Sequence, residues 1–414
     1  MLKSRTIAFV AMLALASVSP ARALGPKAIE HSLDNGLKVI LAEDHSSPLV
    51  IFQVWYRVGA RDEVSGRSGI SHLLEHMMFK GTKKHGSKVF SRTIRKNGGV
   101  DNAFTSRDST AYFQILPSLR AGLSLEFEAD RMKNLLLKDK DVIAERNVVM
   151  EERRLRSEDK PQNALFELVT ATAFSSHPYR RPIIGWMEDL RSIEKDDLMA
   201  HYKAYYSPDN AVIVAVGDFD SERLFKDIRK KFGKLKPLPR PRSHVSAEPP
   251  QRGQRRVTLK RTETRLPYVL AAYHVPPFPE EDSYALEVLA ELLSGGKTSR
   301  LYKSIVRDRQ MALEAFAEYA GMYKDPYLFL LGATATEGTD IYELERALYE
   351  QANMLSESPP DEIELQKVKN SIEAGYIMGL DSLYMQAMTI GMSEMLGGWR
   401  LKDEYIKKIR RVSA

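Results

Sequence analysis

The chain has no cysteine. That excludes disulfides and any lipid anchor attached through a cysteine thiol. A zinc site here must be built from His, Asp and Glu. Charge of one sign is also scarce in excess: 61 Lys and Arg face 55 Asp and Glu, a formal net charge of +6. Three of those cations, Lys3, Arg5 and Arg22, fall in the first 23 residues, which hold no acid, so the rest of the chain sits near +3. Such a balance gives no case for nucleic acid as a partner. After residue 23 no apolar run approaches the roughly 20 residues that span a bilayer. What is present is a mixed composition, 43% hydrophobic and 28% charged over 414 residues, enough for two globular cores.

The first residues read as a secretory signal. Lys3 and Arg5 make a positive start, Ile7 to Val18 is mostly apolar, and Pro20-Ala21-Arg22-Ala23 supplies an A-x-A cleavage site. Removal is expected after Ala23. The mature chain would then be periplasmic or secreted, with no membrane anchor.

Residues 24–233 read as one domain. Asn35-Gly36 between apolar runs predicts a hairpin. Val50 to Val58 follows as a strand, then a helix capped by Ser68 or Ser71. Strands are expected at 102–106 and 110–116, helices over 119–136 and 141–158, and a last strand at 211–216. Residues 234–254, rich in proline and basic side chains, read as a linker. The plan then restarts over 255–414: strands at 268–275 and 327–334, helices at 284–293, 342–355 and 362–375. The order implies two related α+β domains from a duplicated unit. "KKIRRVSA" at the end matches only the start of the first domain's closing passage. The second domain is therefore expected to lack its closing helix and edge strand and to expose a sheet edge.

The stretch Ser71-His72-Leu73-Leu74-Glu75-His76-Met77 carries two histidines and a carboxylate in an apolar run. Positions i, i+3 and i+4 share a helical face. His72 and His76 can present two imidazoles to one ion, with Glu75 placed to take a proton from water. A third ligand must come from elsewhere. "AERNVVMEERR" offers Glu145, Glu151 and Glu152, with Val148, Val149 and Leu155 as the helix's apolar face. Glu145 and Glu152 are seven apart and share a face, but helix phase alone leaves Glu151 and Glu152 as alternatives.

These motifs, with "GISHLLEHMMFKGT", "GGVDNAFTSRDSTAY", "ERNVVMEERR", "HPYRRPIIGW" and "YYSPDNAVIVAVGDFD", resemble the pitrilysin-type zinc peptidases, the inverzincins. Within them the chain looks most like the branch of the mitochondrial processing peptidase β subunit and its bacterial zinc-bearing relatives. The resemblance covers nearly the whole mature chain. It implies two similar domains, each a mostly antiparallel sheet packed with helices. It implies one Zn2+ per chain held by His72, His76 and Glu152, Glu75 as general base, and Glu145 orienting a ligand histidine. It implies unfolded peptide substrates added as a strand beside Asn102, Ala103, Phe104 and Thr105.

The second domain carries no metal motif. Glu373 falls where Glu152 would repeat and reads as a surface residue. Relatives place an Arg and a Tyr seven residues apart in that domain to hold the substrate carbonyl. Here Arg307 is the candidate, position 314 is Glu, and Tyr319 has the wrong spacing. The resemblance thus implies a homo- or heterodimer, with a homologous partner carrying the Arg/Tyr pair. The alternative is a family-derived scaffold subunit without turnover. Keeping Glu75 argues against it.

Overall fold

A computed structural model describes residues 27–239 and 245–414; the expected signal segment lies outside the described residues. Six strands form the first sheet: β1 (Ala28–Ser32), β2 (Lys38–Glu43), β3 (Leu49–Tyr56), β4 (Val100–Thr105), β5 (Thr110–Pro117) and β6 (Ala211–Gly217). Their order is β1-β2-β6-β3-β5-β4. The β2–β6 pair is parallel; the other pairs are antiparallel. Asn35-Gly36 does turn β1 into β2, with Gly36 at φ 85°, where only glycine is unstrained.

Side chains alternate across this sheet, and both faces are dry. Phe52, Val54 and Tyr56 of β3 and Ile213 and Ala215 of β6 face the helices of the first domain. Ile51, Trp55, Val212, Val214 and Val216 face the other way, onto Leu383, Ala387 and Ile390. Those last three belong to helix Leu383–Leu396, from the C-terminal part of the chain. This is why β6, Ala-Val-Ile-Val-Ala-Val-Gly, is an unbroken apolar run: both of its faces are covered.

The second sheet contains β7 (Tyr268–Val275), β8 (Ala312–Ala320) and β9 (Tyr327–Ala335), in the order β7-β9-β8 and all antiparallel. It repeats the β3-β5-β4 portion of the first. Helix Glu281–Ser294 follows β7 as helix Ile70–Met77 follows β3. Strand β8 has no counterpart in the sequence reading, because its polar Glu314 and Glu318 break the apolar pattern. Helix Ser221–Phe232 was also unanticipated after the strand at 211–216.

The linker is pinned rather than loose where it meets the first domain. Glu248 accepts hydrogen bonds from the backbone N–H groups of Ser175, Ser176 and His177, at 2.8, 2.8 and 3.0 Å. Burial opposes its charge, but these donors and the Ser175 hydroxyl outweigh it and pull the carboxyl down to about 2.

Candidate metal centre

Helix Ile70–Met77 starts without a serine cap. Gly69 occupies the cap position at φ 86°. A Cβ there would lie 2.4 Å from the Ile184 carbonyl oxygen, so the close approach of residues 184–185 excludes any side chain. The capping work falls to Glu63, whose carboxylate accepts from the N–H groups of Gly69 (2.8 Å) and Ser71 (2.9 Å). Ser71 turns inward, its hydroxyl 3.1 Å from the ring Nε2 of buried His201. Ser68 bonds Asp189 instead.

Glu63 is buried, and desolvation pushes its carboxyl up to about 8 against the pull of those donors. Replacing it with Gln sets an amide NH2 against a backbone N–H. We expect a loss of about 1–3 kcal/mol, read from the urea midpoint, and a larger loss for Glu63→Ala. The pH sign follows from the raised value. Between about 4.5 and about 8 the unfolded chain gives up this proton and the folded chain keeps it, so wild type loses stability as pH rises. The gap to Glu63→Gln should therefore narrow over that window.

The second helix of the site, Asp139–Arg153, ends one turn earlier than the sequence suggests and passes into a wide π turn at Arg154–Glu158. Of its expected apolar face only Val149 is buried; Val148 and Leu155 are about half exposed. Glu152 at its end faces the histidines. Its carboxylate lies 3.9 Å from His72 Nε2 and 3.5 Å from His76 Nε2. Among the described residues this trio is the one His/Asp/Glu group whose ligand atoms all lie within 4.8 Å of one another. Two ligands about 2.0–2.1 Å from a tetrahedral ion sit about 3.4 Å apart, so the donor set and its spacing fit zinc. Glu151 points away, to Arg154.

Burial pushes His72 down to about 3, so its ring is neutral and free to donate a lone pair. Burial also works to lower His76, but the hydrogen bond its ring donates to Glu145 and the nearby carboxylates of Glu75 and Glu152 leave it raised. Glu145 Oε2 sits 3.2 Å from His76 Nδ1 and orients that ring, while its other oxygen takes Lys80.

Glu75 lies behind the trio. Desolvation raises its carboxyl, partly offset by the Thr105 hydroxyl donating to it at 2.6 Å. Thr105 ends β4, the outer strand of the first sheet, whose far edge is unpaired. Asn102, Ala103, Phe104 and Thr105 line the cleft together with His72, Glu75, His76 and Glu152. Their side chains alternate: Ala103 packs toward the first core, whereas Phe104 turns to the opposite face and stacks edge-on against Trp55, centroids 5.3 Å apart.

Arg307 does not reach this cleft. It is half-exposed on the second domain and bonds Asp308. Glu314 accepts from Thr334, and the Tyr319 hydroxyl donates to the Pro276 carbonyl. Glu373 pairs with Arg410, away from any histidine. His177 accepts from Tyr179 N–H and also contacts Asp325 of the second domain.

Two participants escaped the sequence reading. Glu63 could not be found, because it caps across a loop rather than within a local motif. Arg156 could have been found: it stands four residues after Glu152, and its guanidinium lies 2.9 Å from that carboxylate.

Comparison with known proteins identifies the family. Residues 38–186 match the model described as "Insulinase (Peptidase family M16)", and residues 192–372 match "Peptidase M16 inactive domain". The chain is 33% identical over 377 residues to "Zinc protease PqqE" of Helicobacter pylori, covering 90% of this chain and 84% of that one. It is 27% identical to "Probable mitochondrial-processing peptidase subunit beta, mitochondrial" of Arabidopsis thaliana, covering 92% and 73%. The crystal structure of a protease from Helicobacter pylori superposes with a TM-score of 0.90 at 32% identity, over 94% of each chain.

Proposed function

This chain belongs to the M16 family of zinc peptidases, and from that premise we propose that it is a zinc endopeptidase acting on unfolded peptides. The observation that carries the reading is one juxtaposition: His72, His76 and Glu152 converge beside Glu75 at the free edge of β4. His72, His76 and Glu152 would hold one zinc ion, which would supply Lewis-acid activation of water and of the carbonyl. Glu75, poised by burial to hold or release a proton, takes one from the attacking water and delivers it to the leaving amine. Thr105 keeps the base in place. The main chain of β4 pairs with an extended substrate, which gives affinity without strict sequence demands.

The proposal includes a partner. Arg307 and Glu314 leave the cleft without the carbonyl-holding pair expected of relatives, so a homologous chain bearing Arg and Tyr completes it. The compartment proposed is the periplasm or the outside of the cell, from the leader-like first 23 residues. A scaffold role would leave the buried Glu75–Thr105 contact without purpose.

The test is cleavage of an unfolded peptide by zinc-loaded protein, with the homologous partner supplied. Chelation should abolish cleavage and added zinc restore it. Equal cleavage with and without chelator would sink the reading.

A further inference from the structure

The cleft is lined by several charged side chains, and nearly all are already spoken for. Glu167 is held in a two-bond pair by Arg153, at 2.7 and 3.0 Å. Arg107 is buried and spends its donors on the carbonyls of Tyr179 and Arg181 and on the Tyr327 hydroxyl. Glu75 and Glu152 belong to the centre itself. Two arginines remain. Arg180 is exposed and touches only the Ser175 carbonyl, with no carboxylate partner among the described residues. Arg156 is 73% exposed and has a single partner, Glu152. That carboxylate's charge is spent on the ion whenever zinc is held, so Arg156 then faces the cleft uncompensated.

We infer that Arg156, with Arg180 also on the cleft wall, makes the cleft select peptides carrying an acidic side chain, the Arg156 contact falling within two residues of the bond to be cut. This rests on the peptidase reading above and specifies its substrate class. The reach follows from distances. Arg156 Nη1 is 2.9 Å from Glu152, which is 3.9 Å from His72 Nε2, so the guanidinium lies within about 7 Å of the centre. An extended chain advances about 3.3 Å per residue, which puts the second residue from the scissile bond beside Arg156. A lysine there would meet like charge, and among the described residues the acids lining the cleft are Glu75, Glu152 and Glu167, each already engaged.

The experiment uses zinc-loaded Glu75→Gln protein, which leaves peptides intact, and three unfolded peptides differing only in having Glu, Gln or Lys at the flanking positions. Binding is followed by fluorescence anisotropy. The Glu peptide should bind about tenfold tighter than the Lys peptide at low salt, with Gln between them. At 1 M salt the ratio should fall to about twofold. Adding Arg156→Glu or Arg180→Glu should collapse or invert the ratio. Zinc content is measured in each variant, and the ratios are compared at equal occupancy, because the ion's own charge also favours the Glu peptide. Equal affinities, a Lys preference, or no detectable binding overturns the inference. Acid-selective binding in a protein whose wild type, zinc-loaded and with the homologous partner supplied, cleaves none of the three would overturn the peptidase reading and leave the acid selectivity of the cleft standing.

Discussion

Replacing Glu75 with Gln is expected to slow peptide hydrolysis by about 10²- to 10⁴-fold while zinc stays at about one ion per chain. The substitution keeps the side chain's size and its contact with the Thr105 hydroxyl, which can donate to an amide oxygen as it does to a carboxylate. It removes only the capacity to accept and return a proton. The ligand atoms of His72, His76 and Glu152 are untouched, and Glu145 still orients His76. Metal analysis and single-turnover cleavage, run on the same preparation, separate the two effects. Activity surviving in the variant would show that another group moves the proton. Loss of zinc along with activity would make Glu75 a structural support of the centre instead.

The largest effect on stability is expected at Glu128, far from any surface. Glu128 and Arg131 are both fully buried one helical turn apart, in helix Ala121–Asn134. Arg131 Nε donates to Glu128 at 2.7 Å, a second guanidinium nitrogen bonds its other oxygen, and Gln114 also donates to it. The guanidinium stacks 4.2 Å from the Tyr112 ring centroid and 4.8 Å from that of Phe90. Glu128→Ala would leave a cation in a dry core with aromatic faces and no anion. The expected cost is about 3–5 kcal/mol. For a domain of this size that lowers the melting temperature by roughly 10 °C or more. Replacing both members, Glu128→Leu with Arg131→Met, removes the stranded charge and should recover much of the loss. A double variant no more stable than the single one would mean that the pair holds the helix by its hydrogen-bond geometry rather than by charge balance.

Much of the centre was legible from spacing, because a helix fixes the angular relation of residues three and four apart. His72, Glu75 and His76 needed no tertiary information to share a face. Glu152 was different. Its helix is contributed from about 75 positions downstream, and only the resemblance to the M16 pattern separated it from Glu151; in the structure Glu151 turns to Arg154 and Glu152 to the histidines. Strands with strong apolar patterns, such as Tyr268–Val275, were bounded correctly, whereas β8, with glutamates among its alanines, was invisible. The serine cap failed for a physical reason. Capping needs an acceptor in space, and Glu63 reaches the helix start through a loop that propensity rules do not see. The same reason hid the role of His201, whose partner Ser71 lies 130 residues away.

Helix Leu383–Leu396 lies across the back of the first sheet, against Trp55 and the outer valines of β6. A glycine in that helix, Gly391, lets the indole come so close that a Cβ would sit 2.3 Å from it. The first domain keeps one interior to itself, between its sheet and its own helices, but shares the other: the wall behind this face of the sheet comes from the C-terminal part of the chain. Cutting the chain within residues 234–254 and separating the parts would lay that face of the sheet open to water. On this face the two parts of the chain fold as one body.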